Sequence, residues 1–436
     1  METWAKLHPN ENENPIPEMK TLRSMKKSSI FPPLGLLLFL LGLGVFPAQH
    51  LVAQDGPLAA VASSSNQFGF QLYQKIASQA PNSNQFMSPF SVYAALAMTS
   101  EGTAGNSLEV LRKTLALPDE TTLHAGLEAL AKALQPQNAS YALAVANAIW
   151  PSKTAKLNPV FVATIQKIYQ GASIPQDFQN NSELARTTIN NWVAKRTNDR
   201  IKNLLPAGSV NSSTAIVLTN AIFFKGKWQF QFDKKETSDQ AFFSEAKKEI
   251  AVPMMHLAGS DDFSLAYGQT ADYEVLRLPY KGDALSMVIL LPNLGGMAAF
   301  EKAFDAKQWA QLNEIMELKK VNVWLPRFKM ELGGSIAGDL KSLGLAPLFE
   351  NADFTRMFTS GGGFKISDVI HKAFVEVNEE GTEAAAATAV LIAETAVEGE
   401  YEPEINFRAD HPFLFMIEHN ASHSILFMGK VMNPAG

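Results

Sequence analysis

Residues 379–389 read Glu379-Glu380-Gly381-Thr382-Glu383-Ala384-Ala385-Ala386-Ala387-Thr388-Ala389. By propensity alone, the alanines favour an exposed helix with glutamates in its first turn. The flanking residues favour another structure, because a strand-like apolar run (residues 374–377) precedes the stretch and an acidic, loop-like run (residues 394–404) follows it. The fold assignment therefore depends on this stretch together with its flanks.

Further runs along the chain have long and specific sequences. In chain order they are Phe86-Met87-Ser88-Pro89-Phe90-Ser91, Asn190-Asn191-Trp192-Val193 with Thr197 and Ile201, Thr219-Asn220-Ala221-Ile222-Phe223-Phe224-Lys225-Gly226-Lys227-Trp228, Leu278-Pro279-Tyr280-Lys281-Gly282, Asn406-Phe407-Arg408-Ala409-Asp410-His411-Pro412-Phe413-Leu414-Phe415, and Ile425-Leu426-Phe427-Met428-Gly429-Lys430-Val431 with Asn433-Pro434. Together with residues 379–389, these runs resemble motifs of the serpin family and occur in the family's order. The resemblance extends over residues 66–436.

The resemblance implies an α+β fold: one domain with a large mixed sheet, a helical N-terminal half and an exposed reactive loop, here about residues 379–405. It implies a hydrogen-bonded shutter beneath that sheet, formed by Ser88, Ser91, Asn220 and His371. It also implies that Trp228 lies at the upper end of the sheet, the breach. In the family's mechanism a serine protease cleaves the loop, and the loop then inserts into the sheet as a new strand and traps the acyl-enzyme.

The hinge, residues 379–388, has the composition that insertion into a sheet requires. Side chains alternate between the two faces of a strand. If Thr382 points inward, the same face carries Ala384, Ala386 and Thr388, and the opposite face carries Glu383, Ala385 and Ala387. Gly381 has no Cβ and can form the bend between loop and strand. We therefore expect every charge of the hinge to lie on a face that water reaches.

This pattern favours a metastable suicide inhibitor of serine proteases over a non-inhibitory serpin with a carrier, chaperone or storage role. The alanine run also suits a helical loop that does not insert, so the non-inhibitory alternative stays open.

The reactive bond is expected at Thr395–Ala396, because the scissile residue of inhibitory serpins is the seventeenth from the first hinge glutamate. Small residues on both sides suit an elastase-like or subtilisin-like protease with a shallow primary pocket. No Lys or Arg lies between Lys372 and Arg408, which disfavours trypsin-like targets. Glu394 and the glutamates beyond it favour proteases with a basic rim through electrostatic steering. Because the loop is long, alternative sites for other enzymes are Ile392, Ala393 and Tyr401.

Composition and motifs argue against several other classes of protein. The 436 residues are 46% hydrophobic and carry a net charge of −6, which gives ample material for a core and no reason to expect nucleic-acid binding. The chain has no cysteine, which excludes disulfides, thiol catalysis and the common zinc cages. Nucleophile-elbow, zinc-protease, phosphate-loop and dinucleotide motifs are absent from the sequence. We expect no metal and no organic cofactor.

His371 could serve as the general base of a serine hydrolase, but a hydrogen-bonded core histidine is the favoured interpretation.

Heparin activation is not expected, because residues 117–134 offer Lys132 and His124 against three carboxylates. The expected partner is a serine protease, bound by a monomer in a covalent 1:1 complex.

Hydrophobic periodicity predicts helices in the first half of the domain and strands in the second. The predicted helices cover Phe68 to Ile76, residues 90–98 after the Ser88-Pro89 start, and residues 107–115. The predicted strands cover residues 216–218 with 221–224, 285–291 and 321–325, and a C-terminal hairpin joins 413–417 to 425–428.

The N-terminal residues 1–53 have the pattern of a polar leader followed by a secretory signal peptide. Basic residues at 20–27 precede an apolar run at 34–46, and small residues follow at Ala48 and Ala53. We expect a secreted or periplasmic protein. Anchoring through residues 31–48 is the alternative, although the apolar run is shorter than the about 20 residues of a bilayer span. The small residues 54–65 are expected to form a linker before the domain at 66–436.

Overall fold

A computed structural model of the chain describes residues 56–135, 140–360, 363–382 and 404–435. The expected leader and signal peptide (1–53), hinge residues 383–388 and the reactive bond lie outside these ranges. Within the described ranges, no helix is both long enough and apolar enough to cross a membrane.

The described residues form helices and three β-sheets. The α-helices are α1 Pro57–Ala77, α2 Pro89–Ser100, α3 Gly105–Thr114, α4 Glu120–Leu134, α5 Pro159–Tyr169, α6 Phe178–Arg196, α7 Met297–Ala303, α8 Ala306–Ile315, α9 Ala337–Leu340 and α10 Ala346–Glu350, with a π-helical turn Lys341–Leu345 between the last two. The strands are β1 Gln85–Met87, β2 Tyr141–Pro151, β3 Ala172–Ser173, β4 Ile216–Lys227, β5 Ser238–Phe243, β6 Glu249–Leu257, β7 Leu265–Gln269, β8 Tyr273–Pro279, β9 Leu285–Pro292, β10 Glu317–Lys319, β11 Val321–Pro326, β12 Phe328–Ser335, β13 Ile366–Asn378, β14 Gly381–Thr382, β15 Ile405–Arg408, β16 Phe413–His419 and β17 Ser424–Val431.

The large sheet has the strand order β12-β13-β14-β4-β2-β3. It is mixed, because β13 and β4 also pair directly in parallel while β4 and β2 are antiparallel. A seven-stranded sheet has the order β1-β17-β16-β9-β8-β7-β10, and a four-stranded sheet has the order β15-β11-β6-β5. The α+β class with a large mixed sheet, predicted from the sequence, is confirmed.

The predicted start of the second helix at Ser88-Pro89 is confirmed. The Ser88 Oγ accepts a hydrogen bond from the Ser91 N–H at 3.2 Å, and Pro89 occupies the first turn, where its missing N–H leaves no gap in the ladder. Every residue of α2 is buried, as its apolar composition predicted. The helix lies beneath the large sheet and positions the serines of its first turn there.

Strand β4 joins the two apolar runs that the sequence predicted as one buried strand. Its side chains alternate between two cores: Ile222 belongs to the main core that includes α2, and Ala221 packs in a second core with Ile189 and Val193 of α6. The sheet is therefore covered on both faces along this strand, which explains the continuous apolar sequence. The predicted C-terminal hairpin is also confirmed as β16 and β17.

The prediction of a linker at residues 54–65 is wrong for residues 57–65, which form the first turns of α1. Val61 and Ser65 are buried there. Helix α4 approaches so closely that a Cβ on Gly126 would lie 2.2 Å from the Pro57 carbonyl oxygen. The close packing depends on Gly126 of α4, far along the chain, so the composition of residues 57–65 alone does not distinguish this helix from a flexible linker.

Candidate functional site

The hinge begins inside the large sheet. Its residues Gly381–Thr382 form the short strand β14, which lies between β13 and β4 and is antiparallel to both. Thr382 is the cross-strand partner of Val377 on β13 and of Gly226 on β4. Further along the sheet β13 and β4 pair with each other directly, from Phe374 opposite Phe223 to Ile366 opposite Ile216. The hinge therefore lies where β13 and β4 are separated by β14, and the two strands pair directly with each other beyond this point.

Gly381 has a backbone conformation that favours glycine. Its φ is +147°, and a Cβ at this position would lie 2.0 Å from the Gly226 carbonyl oxygen. Both facts require a residue without a side chain at the point where the chain turns from β13 into β14.

Thr382 points into the protein, with no exposed surface. Its Oγ1 is hydrogen bonded to the Tyr280 hydroxyl at 2.7 Å, and the Tyr280 ring stacks on Trp228 with 4.6 Å between ring centroids. Burial raises the pKa of Tyr280, so this phenol stays protonated and available as a donor. The first inward position of the hinge is thus occupied by a small, hydrogen-bonded side chain.

Trp228 lies where β13, β14 and β4 meet. Its indole Nε1 donates a hydrogen bond to the Asn378 carbonyl at 2.9 Å, and its backbone N–H donates one to the Glu380 carbonyl at 2.9 Å. Trp228, which the sequence analysis placed at the breach, therefore contacts the end of β13 and the first residues of the hinge.

The expectation that all hinge charges face water is wrong for Glu379 and Glu380, which are only 2% and 4% exposed. The carboxylate of Glu379 accepts hydrogen bonds from Arg327 Nε at 2.7 Å and from Thr237 Oγ1 at 2.5 Å. Lys234 forms an ion pair with Glu380. These partners allow burial of the two charges, because a buried carboxylate is tolerated when it is paired and hydrogen bonded.

The pairing is strong enough to determine the charge state of Glu379. Burial by itself raises the pKa of this carboxyl, but the hydrogen bonds from Arg327 and Thr237 outweigh it and hold the pKa below its usual value. Glu379 is therefore ionised at neutral pH and anchors the start of the hinge.

A buried polar cluster lies beneath the middle of the large sheet. The structure brings together all four residues of the predicted shutter: Ser88, Ser91, Asn220 and His371. His371 Nε2 accepts a hydrogen bond from the Ser88 N–H at 3.1 Å, and His371 Nδ1 is hydrogen bonded to Asn220 Oδ1. Asn220 Nδ2 donates to Ser91 Oγ. The cluster connects β13, β4 and the start of α2.

The sequence analysis missed a fifth member of this cluster, Asn147. It lies on β2 directly opposite Asn220, and its Oδ1 accepts hydrogen bonds from Asn220 Nδ2 and from Ser91 Oγ, the latter at 3.4 Å. A single amide within the otherwise apolar strand β2 was the available signal.

His371 is a core histidine. Burial lowers its pKa to about 4, so the ring is neutral at physiological pH. The Ser88 hydroxyl donates to the Leu426 carbonyl at 2.6 Å and not to the imidazole. The geometry therefore gives Ser88 no general base, and a serine hydrolase built on this pair has no support.

Glu101, Glu120 and His124 have ligand atoms within 4.8 Å of one another, close enough to share a cation. Hydrogen bonds already satisfy Glu101 Oε1, from Tyr169 OH at 2.7 Å and with His124 Nε2 at 2.9 Å. The expectation that the protein needs no metal stays a prediction.

Comparison with known proteins places this architecture in a family. A family model described as Serpin (serine protease inhibitor) matches residues 63–434. The chain belongs to the serpin family. This serpin is 39% identical to the leukocyte elastase inhibitor of Homo sapiens over 384 residues, which cover 86% of this chain and 99% of the relative. It is 34% identical over 379 residues to an uncharacterised serpin-like protein of Methanosarcina acetivorans, covering 86% and 88% of the two chains.

Among solved structures, human thyroxine-binding globulin is similar to this serpin with a TM-score of 0.77 and 27% identity, covering 87% of this chain and 100% of the globulin. The relatives thus include a protein named as an elastase inhibitor and one named for binding thyroxine. Membership of the family establishes the fold.

Proposed function

We propose that this serpin is a suicide inhibitor of serine proteases, in which the cleaved reactive loop inserts between β13 and β4. The observation that carries the proposal is the position of Gly381–Thr382, which already pair with both β13 and β4 at the point where these strands are separated. Because residues 381–382 already form a strand between β13 and β4, the loop can continue as a strand without a new turn.

The register of β14 determines where the rest of the hinge would lie. Since Thr382 is opposite Gly226 in an antiparallel pair, each step forward along the hinge is one step back along β4. Continuation in this register sets Ala384 opposite Phe224 and Ala386 opposite Ile222. The inward residues of the inserted strand would then be small at positions beside Phe224 and Ile222, which both belong to the main core.

Continuation also brings Thr388 to the polar cluster. In the register of β14 with β4, Thr388 falls opposite Asn220, and in the register of β14 with β13 it falls opposite His371. Insertion must separate these two side chains. A threonine hydroxyl can both donate and accept, so Thr388 would replace the hydrogen bonds that Asn220 and His371 lose. This match supports a gating role for the cluster, since an unsatisfied buried polar group costs about 1–3 kcal/mol.

The protease is trapped in two steps: its serine is acylated by the reactive loop, and the inserting loop then displaces it along the sheet. The protease serine Oγ attacks the carbonyl carbon of Thr395, the Thr395–Ala396 amide bond breaks, and Ala396 leaves with a proton as a new amino terminus. Thr395 remains bound to the protease as an ester. A strand from Thr382 to Thr395 spans about 44 Å at about 3.4 Å per residue. The ester-linked protease would therefore be carried from one end of the large sheet to the other before water hydrolyses the ester.

The proposed target is an elastase-like or subtilisin-like protease, because Thr395 and Ala396 are small and uncharged. The similarity to leukocyte elastase inhibitor supports this choice. The inhibitor acts as a monomer in a 1:1 complex, without metal, organic cofactor, nucleic acid or heparin. A carrier role is the second candidate, favoured by the similarity to thyroxine-binding globulin.

Residues 1–53 are proposed to direct export, so that the mature inhibitor is secreted or periplasmic. Amino-terminal sequencing of the mature protein tests this proposal. A start within residues 48–56 supports export, and retention of residues 31–48 in a membrane fraction supports the anchored alternative.

Covalent trapping is tested by incubation of the mature protein with elastase and with subtilisin, followed by a denaturing gel. We expect a 1:1 complex that survives boiling in detergent and a released peptide that begins at Ala396. Protease blocked at its active-site serine is the control and should give no complex. Cleavage without a complex across a panel of serine proteases would favour the carrier role, and a peptide beginning at Glu402 would move the reactive bond to Tyr401.

A further inference from the structure

A cavity lies beneath the edge of the large sheet, between the C-terminal end of α1, β1, β12 and α9. It encloses about 260 Å³, and His371 of the buried polar cluster forms part of its wall. The cavity exists in the resting sheet, where β13 and β4 are paired. We call it the Asp339 cavity, after the one carboxylate among the described residues that line it.

Asp339 is a buried carboxylate without a cation. The residue is 8% exposed, and its Oδ1 accepts a hydrogen bond from Gln79 Nε2. Its Oδ2 has no hydrogen bond or ion pair to any residue that the structure describes. The first turn of α9 suits an acidic residue but supplies no counter-ion. Because a buried charge is unfavourable unless it is paired, Asp339 favours a cationic ligand in the cavity.

Two amide side chains of the wall offer further acceptors to such a ligand. Gln79 Nε2 donates to Asp339, and Gln85 Nε2 donates to the Ala80 carbonyl at 3.5 Å. The Oε1 atoms of both glutamines accept no hydrogen bond from the described part of the chain. An ammonium group has three donors and no acceptor. Asp339 Oδ2 and the two amide oxygens match it in number and in kind.

The wall is negatively charged at neutral pH. Of the lining residues, all of which the structure describes, none is Lys or Arg, and His371 is the single histidine. Burial lowers the pKa of His371 to about 4, so its ring is neutral, and both ring nitrogens are already hydrogen bonded to Ser88 and Asn220. The cavity therefore attracts a cation and repels an anion.

Apolar side chains complete the wall and the volume limits the size of the ligand. Ile76, Phe86, Leu332 and Ile336 contribute the apolar surface. A volume of about 260 Å³ lies below the about 300–1,000 Å³ of pockets for drug-sized ligands. The chemistry thus fits a small molecule with one ammonium group and an apolar body.

We infer that the Asp339 cavity binds a small primary amine, whose ammonium group pairs with Asp339 and whose apolar body packs against the rest of the wall. The inference goes beyond the proposed function and does not depend on it, because the site is formed in the resting sheet. Since His371 belongs to the same wall, the bound amine would lie beside the residue that pairs with Asn220 across β13 and β4.

Binding is tested by titration calorimetry of the intact protein with phenethylamine at pH 7. Phenethyl alcohol, which has the same body without the charge, and hydrocinnamate, which has the opposite charge, are the matched ligand controls. We expect 1:1 binding of the amine with a Kd below about 1 mM and binding of both controls that is at least about tenfold weaker. An about tenfold excess of the amine over its Kd should raise the unfolding midpoint by about 1–2 °C.

Two variants locate the site. Asp339→Asn removes the charge and should weaken binding of the amine at least about tenfold, with binding of the alcohol unchanged. Ile76→Phe fills part of the cavity and should weaken binding of both ligands. Glu331→Gln is the matched control, because Glu331 lies on β12 outside the cavity and pairs with Lys372 at 2.6 Å, and it should bind the amine as the parent does.

The ligand controls and Ile76→Phe keep the test decisive if Asp339→Asn folds poorly. Equal affinity of the parent for the amine and the alcohol would overturn the ion pair. Unchanged binding of the amine to Ile76→Phe or to folded Asp339→Asn would show that the amine binds elsewhere and would overturn the site. Absence of both heat and a midpoint shift with the parent would overturn it as well. Each of these results leaves the proposed trapping of a protease untouched.

Discussion

His371 on β13 lies directly opposite Asn220 on β4, and their side chains form a hydrogen bond inside the large sheet. This bond links the two strands that must separate to admit the reactive loop. It is buried, and it belongs to a cluster that also holds the start of α2. The resting sheet is therefore closed by a specific polar contact in addition to backbone pairing.

The first prediction concerns pH. The pKa of His371 is about 4 in the folded protein, against 6.5 for an unperturbed histidine. The unfolded chain therefore binds more protons between these values, and the free energy of unfolding should fall as pH decreases through this window. The contribution of His371 is about 3 kcal/mol between pH 7 and pH 4.

The measurement is chemical denaturation of the parent and of His371→Gln at several pH values from 7 to 4. The parent should lose more stability over this range than the variant, which has no imidazole to protonate. Identical pH profiles would contradict a lowered pKa of His371 in the folded protein.

The second prediction concerns the two faces of the inserted hinge. Ala386→Glu would bring a carboxylate opposite Ile222 in the main core, at a cost of at least several kcal/mol if it stays unpaired. The loop should then be cleaved and released faster than it inserts. Ala385→Glu is the matched control. Position 385 falls opposite Phe223, and Arg200 lies 5.9 Å from the centre of the Phe223 ring, so this carboxylate would lie near a cation.

The stoichiometry of inhibition measures the difference, as moles of serpin consumed for each mole of protease trapped. It should rise many-fold for Ala386→Glu and little for Ala385→Glu. Equal damage from the two substitutions would show that the strand phase set by Thr382 does not continue through the hinge.

The third prediction concerns Gly381. Replacement by valine would force a Cβ against the Gly226 carbonyl and strain a φ of +147°, a backbone cost of about 1–3 kcal/mol. We expect β14 to leave the sheet and the stoichiometry of inhibition to rise. Gly338→Val is the control, because an added Cβ there meets no atom within 4 Å. Unchanged hydrogen exchange at Thr382 in Gly381→Val would contradict the expectation.

The fourth prediction concerns the anchor of the hinge. Arg327→Ala would leave the buried carboxylate of Glu379 without its cation, at about 1–2 kcal/mol, since the guanidinium is partly exposed. The pKa of Glu379 is lowered in the folded state, so its contribution is present above the unfolded pKa of about 4.3 and is lost as pH falls below it. Denaturation at pH 7 and pH 3 should show a smaller cost at the lower pH, where Glu379 begins to take up a proton.

Arg356→Ala is the comparison for this prediction, because its ion pair with Glu120 is exposed and 4.0 Å long. That variant should lose less than about 1 kcal/mol at either pH. A loss of equal size in both variants would mean that Arg327 has no special role at the hinge.

Local sequence patterns were sufficient for the elements whose residues determine their own structure. The cap at Ser88 and the apolar run of β4 could be predicted, because capping and strand burial depend on neighbouring residues. The first turns of α1 could not, because the small residues 57–65 become helical against α4, a contact that lies far along the chain.

The candidate site shows the same limit. Gly381 and Thr382 could be assigned to a bend and an inward position from their chemistry. The burial of Glu379 and Glu380 could not be predicted, because the cations that allow it, Arg327 and Lys234, are brought to the hinge only by the folded sheets. Asn147 was missed for the same reason, since its partner Asn220 lies on another strand.

The central claim is that the cleaved loop becomes a strand between β13 and β4, and calorimetry of intact and loop-cleaved protein tests it most directly. Insertion adds backbone hydrogen bonds on both sides of the new strand and fills the sheet, so the unfolding midpoint of the cleaved protein should rise greatly. An ordinary exposed loop, once cleaved, leaves stability unchanged or lower. A midpoint that does not rise after cleavage within residues 390–400 would contradict the account.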